Sequence, residues 1–242
     1  MGWKEIKQKL KYLDPFTYVD MFLDKVNPSH NPLIDWPVQI ISAFIIALLI
    51  YTLLGFALGT GSPMVIVVSE SMSPNLHRGD VVVLTGVSPE NVIAQEVTLN
   101  TSSLEGIPLS SFATFSNPTL TLSDGQQIHT NQGGDIIVYF SNYRNEQIIH
   151  RAVTKIKTQD GTYILTKGDN ELTNNTVDQD CGKVTGTTPQ HNCVTLFPIS
   201  EENLQGKAVA RVPFLGYVKL ILVDDLQVIL FGCKRPEGCP LP

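Results

Sequence analysis

DIIVYFSNYRNEQIIHRAVTKI spans residues 135–156. Two β-branched and aromatic runs, 135–140 and 147–156, flank a polar turn at Asn142–Glu146. Val, Ile, Tyr and Phe fit a pleated, half-buried surface, so the stretch predicts two antiparallel strands. TYILTKG (162–168) follows after the Gln159-Asp-Gly161 turn and predicts a third. MVIVV (64–68), VVVL (81–84) and GKAVARVPF (206–214) add further strands around it. Residues 87–133 are rich in Ser, Thr, Asn, Gly and Gln, and TLTL at 119–122 alternates weakly. They read as a polar insertion with a hairpin of its own. The expected fold is mainly β, with a catalytic or binding domain over 61–213.

Upstream lies a different kind of sequence. VQIISAFIIALLIYTLLGFALG (38–59) has no charge and no polar face. As a helix, 22 such residues span roughly 33 Å, about the hydrocarbon core of a bilayer. The boundaries read as a segment over 1–35, a transmembrane helix over 36–60, the β domain, and an apolar, interfacial segment over 214–242 with a Cys-containing tail. Lys219, Asp224 and Asp225 argue against a second span in that tail. Lysines 4, 7, 9, 11 and 25 precede the helix, and the next basic residue after it is Arg78. That bias places the N-terminus in the cytoplasm and the β domain outside, in a single-pass protein of the plasma membrane.

The formal net charge is −6. A phosphate backbone finds no basic surplus to bind, so nucleic acid is excluded as a partner. Four cysteines, Cys181, Cys193, Cys233 and Cys239, all lie on the outer side and fall into two close pairs. Two disulfides are expected, Cys181–Cys193 and Cys233–Cys239. Asn100-Thr-Ser and Asn174-Asn-Thr are sequons.

SESMSP (69–74) interrupts the strand pattern with three hydroxyls. Ser73-Pro74 alone would serve as a helix start, with Ser73 as cap. A serine nucleophile needs a base and an oxyanion donor. His150 stands out as a base because it sits within a β-branched strand, where it faces either solvent or a site. TKGDN (166–170) puts a carboxylate at a strand end, able to orient an imidazole or to form an Asx turn.

In order along the chain, SESMSP, HRGDVVVL (77–84), GDIIVYF (134–140), IIHRAVTKI (148–156), TKGDN and VPFLGYVKL (212–220) resemble the boxes of signal peptidase I. The likeness is to the archaeal and endoplasmic-reticulum type, since His150 stands where the bacterial type has lysine. The resemblance implies Ser71 as nucleophile, His150 as general base and Ser69 at the oxyanion hole. The family's triad acid lies six residues beyond the Gly-Asp-Asn acid, but that position here is Asn175. Asp178, nine beyond Asp169, is the expected acid because three residues look inserted; Asp169 is the alternative.

The resemblance implies no cofactor and no metal, and leaves the oligomeric state open. It implies preprotein signal peptides as substrates, cleaved after small residues beside membrane lipid and near the Sec translocon. Ser71 lies 12 residues beyond Gly59, which limits it to roughly 40 Å from the helix end. Other readings remain. One is a Ser–Lys protease of LexA-like type using Lys155, Lys157 or Lys167. A second is a membrane-tethered β module without catalysis, and a third is a metal site from His77, His129, His150 and His191.

Overall fold

The computed structural model describes residues 12, 14–131, 133–182 and 193–221. It divides into two units, Met1–Ala57 and Leu58–Pro242.

The first unit is helical. Helix α1 (Pro15–Val26) starts at Asp14, whose carboxylate accepts the Phe16 N–H at 3.0 Å. Helix α2 (Pro32–Leu58) has 27 residues and a mean hydropathy of 2.5 over its most apolar window. It begins four residues before the boundary read from the apolar run. Pro32 takes the first helical position, and the Asn31 side chain accepts the Leu33 N–H at 3.1 Å. Its apolar side chains, among them Ile40, Phe44, Leu53 and Phe56, are exposed. A core helix of a soluble protein would bury them, so this helix is long, apolar and bare enough to cross a bilayer.

The second unit is the β domain. Its main sheet contains β1 (Met64–Ile66), β2 (Val81–Thr85), β3 (Gln95–Thr98), β7 (Ile136–Ser141), β8 (Glu146–Lys157), β9 (Thr162–Lys167) and β10 (Leu204–Val212). The order is β1-β2-β10-β7-β8-β3, with β9 also pairing β8. The hairpin expected from residues 135–156 is present. β7 and β8 run antiparallel, with Ile137 opposite His150 and Tyr139 opposite Ile148. Residues opposite one another share a face, so Tyr139 and His150 point to the same side of the sheet.

The polar insertion is more integrated than its composition predicts. β4 (Ala113–Ser116) and β5 (Thr119–Leu122) form the expected hairpin, and β6 (Gln127–His129) extends it into a separate three-stranded antiparallel sheet. β3, also within it, joins the main sheet parallel to β8. Leu120, Leu122 and Ile128 pack with Val153, Ile156 and Leu165 of β8 and β9 in one core. A second core gathers Val67, Met72, Leu76, Val82, Leu84 and Val138. Met72, completely buried, anchors the serine loop into the sheet through the residue next to Ser71.

Two expectations at the C-terminal end end differently. Cys181 and Cys193 form a disulfide. Cys233, Cys239 and most of the segment over 214–242 lie outside the described residues. Within that segment, α3 (Tyr217–Lys219) is a single short turn.

Candidate active site

The serine loop runs from β1 to β2 as a series of turns, not a helix start. Ser73 N–H donates to Glu70 O at 3.1 Å, and Leu76 N–H to Met72 O at 2.9 Å. The Ser69 and Ser71 hydroxyls are 3.1 Å apart. The Gly168-Asp-Asn turn after β9 clasps this loop. Asn170 N–H donates to Ser71 O at 2.9 Å, and the Asn170 side chain donates to Glu70 O at 3.0 Å. Gly168 is required there, because a Cβ would stand 2.7 Å from Ser71 O.

His150 comes to the loop from β8. Only 4% of it is exposed. Its Nδ1 donates to Asp178 Oδ2 at 2.7 Å. Asp178 is 2% exposed and takes two more bonds on the same oxygen, from Thr166 Oγ1 at 2.6 Å and Tyr139 Oη at 3.0 Å. Its backbone is fixed as well: Asp178 N–H donates to Thr166 O, and Asp178 O accepts from Val194 and Thr195. Burial pushes the Asp178 carboxyl upward. The His150 charge and the bonds from His150, Thr166 and Tyr139 outweigh it, leaving the carboxyl below its ordinary value. The Tyr139 phenol goes the other way. Burial, then the Asp178 charge, hold it well above its usual range, so it stays protonated and donates.

Ser69, Ser71 and His150 line one cavity of about 380 Å³, with Ile66, Val68, Ile149 and Val194 as its apolar wall. Ser71 is hydrogen-bonded to Ser69 rather than to His150. Catalytic hydrogen bonds are commonly long without substrate, so the shared cavity is the informative geometry.

Asp169, the alternative acid, is not brought to His150. Arg151 donates to it twice, from Nε and from the terminal nitrogen, each at 2.7 Å, and Asn75 donates a third bond at 2.7 Å. The reason is strand alternation. Arg151 follows His150 on β8 and so takes the opposite face, carrying Asp169 with it.

No family model matches the chain. Curated relatives do. The chain is 27% identical over 190 residues to the signal peptidase complex catalytic subunit of Schizosaccharomyces pombe, covering 75% of this chain and 79% of that one. Against the subunit of the same name from Scheffersomyces stipitis it is 27% identical over 183 residues, covering 76% and 79%. Against that of Plasmodium falciparum it is 26% identical over 192 residues, covering 79% and 74%. The chain is thus similar, over about three-quarters of its length, to signal peptidase I of the endoplasmic-reticulum type.

Within the β domain the Ser–Lys and metal readings lose their geometry. Lys155 and Lys157 pair with Glu96, and neither they nor Lys167 line the cavity that holds Ser71. A Ser–Lys pair is therefore not assembled. The histidines named for a metal have separate partners: His77 meets Glu70, His129 meets Thr119, and His150 meets Asp178. His191 lies outside the described residues. Sequence reading missed Tyr139 and Thr166. Their only signal was a hydroxyl at a buried position on each of two central strands.

Proposed function

We propose that this chain is a membrane-anchored serine endopeptidase that removes N-terminal signal peptides after small residues. The observation that carries the reading is the buried His150–Asp178 pair opening into the cavity that Ser69 and Ser71 share. Ser71 Oγ attacks the carbonyl carbon of the cleavage-site residue. His150 Nε2 takes its proton and then returns it to the leaving amine. Asp178 holds the imidazole with Nδ1–H pointing at the carboxylate, which leaves Nε2 free as base, and it stabilises the imidazolium that forms. Ser69 Oγ and the Ser71 backbone N–H stabilise the oxyanion. Water then hydrolyses the acyl-enzyme.

The substrate side follows from shape. β1 is the end strand of the sheet, so one edge has no partner among the described residues. An extended peptide adds there as a further strand, presenting alternate side chains to the cavity. Ile66, Val68, Ile149 and Val194 offer an apolar wall suited to a small side chain. The relatives are named as subunits of a complex, yet here Ser71, His150 and Asp178 come from one chain. The N-terminus is cytoplasmic and the domain extracytoplasmic at the plasma membrane, near the Sec translocon; the disulfide is consistent with that side.

The test is cleavage of a preprotein bearing an Ala-x-Ala site by the purified full chain in detergent, beside Ser71→Ala. The wild type should cleave once at the site. Ser71→Ala should lose about a thousandfold or more in kcat while remaining folded. Undiminished cleavage by Ser71→Ala would overturn the nucleophile assignment.

A further inference from the structure

Lys167 ends β9, and strand alternation fixes where its side chain goes. Thr166 faces Asp178, so Lys167 takes the opposite face, across from Arg151 on β8. The residue is only 7% exposed. Among the described residues its ammonium has no hydrogen-bond or ion-pair partner. Lys155, Lys157 and Lys207, by contrast, each meet a carboxylate. The stem is buried while the ammonium itself reaches solvent without a counter-charge, so an anion needs only open space beside it.

That space exists. Lys167 lines a cavity of about 250 Å³ together with Asn75, Thr130, Asn131, Arg151 and Asp169. Asp169 does not serve Lys167, because Arg151 and Asn75 already bind it. Arg151 gives a third bond to Gly134 O, which leaves two of its five N–H donors uncommitted. The cavity thus offers an unpaired ammonium, spare guanidinium donors and the Asn131 side chain, while the Thr130 hydroxyl already donates to Pro118 O. Exposed Glu171 is the one unpaired carboxylate on its wall. Thr130 and Asn131 come from the polar insertion, so the insertion builds one side of a cavity on the face of the sheet away from His150.

We propose that this cavity binds a phosphate-type oxyanion, with Lys167 Nζ as the charged donor. A phosphate has enough acceptor oxygens to meet Lys167, Arg151 and Asn131 together, and lysine serves phosphate as a point charge. The phosphate is either free inorganic phosphate or the headgroup of an anionic lipid. The site is separate from the peptidase cavity, and its assignment does not depend on the proposed activity.

Titration calorimetry of the full chain in neutral detergent, at fixed ionic strength, tests it with two probes: potassium phosphate and short-chain dihexanoyl phosphatidylglycerol. Wild type should bind one equivalent saturably, and Lys167→Met should weaken binding about tenfold or more. Lys167→Arg should largely retain it. Glu171→Gln, a surface change that leaves the fold alone, should tighten binding severalfold by removing a repelling charge, and it decides the matter if Lys167→Met does not fold. Saturable binding of inorganic phosphate identifies the free anion as the source; binding of the lipid probe alone identifies the headgroup. No saturable heat with either probe, or wild-type affinity in both Lys167→Met and Glu171→Gln, overturns the proposal.

Discussion

His150 Nδ1 lies 2.7 Å from Asp178 Oδ2, with both side chains almost wholly removed from solvent. Asp169, nine residues earlier in the chain, points the other way and is tied to Arg151. One carboxylate orients the imidazole. The other, with its neighbours Gly168 and Asn170, braces the loop that carries Ser71.

That division of labour makes the two aspartates separable. Asp178→Asn should lower kcat by about a thousandfold to ten-thousandfold, since an amide no longer enforces the imidazole tautomer. Asp169→Asn should act through stability and loop position, costing no more than about tenfold in kcat. Steady-state kinetics on a preprotein substrate distinguish them. Equal losses in both would discard the assignment of Asp178 as the orienting acid.

Tyr139 and Thr166 each give Asp178 a hydrogen bond inside the core. Bonds to a charged group are worth about 1.5–3 kcal/mol, so Tyr139→Phe and Thr166→Val should each destabilise the domain by about that much. Urea unfolding measures it. The pair should fall short of additive, because both hydroxyls serve one oxygen. A Tyr139→Phe protein as stable as wild type would mean that this bond contributes nothing.

The depressed Asp178 carboxyl links stability to pH with a definite sign. Its folded-state pKa lies below the unfolded value, so its contribution is full above about pH 4 and is lost as the pH falls from there through the folded value. Asp178→Asn should be less stable at neutral pH and show a shallower loss of stability below about pH 4. Denaturation midpoints from pH 6 down to pH 3 compare the slopes; parallel curves for the two proteins would contradict the linkage.

Cys181 and Cys193 are 12 residues apart in sequence. Cys181 follows Asp178 by three positions, and Val194, next to Cys193, donates its N–H to Asp178 O. Reduction, or replacement of both by Ser, should cost about 3 kcal/mol at most by loop-closure entropy. It should also lower activity by loosening the segment that carries the acid. Thermal melts and kinetics with and without reductant give both readings; unchanged activity on reduction would show that β9 and the core hold Asp178 unaided.

The β-hairpin over 135–156 was legible because side-chain alternation is a local property, visible in composition and period alone. So was the apolar helix, whose length follows directly from the thickness of a bilayer. Ser71 and His150 stood out as polar residues interrupting β-branched runs. The hairpin of the polar insertion was legible in TLTL, but not β3, because weak alternation conceals a strand whose partner, β8, lies more than 50 residues away.

The sequence by itself determined the anchor, the β class and the two residues whose polarity violates their local pattern. Tertiary structure alone decided which acid meets the histidine, which hydroxyls share that acid, and that Lys167 lacks a counter-charge among the described residues. Period-two alternation says which face of a strand a side chain takes. It does not say what arrives at that face from elsewhere in the chain, and Asp178 reaches His150 only because β7, β8 and β9 deliver Tyr139, His150 and Thr166 to one side of one sheet.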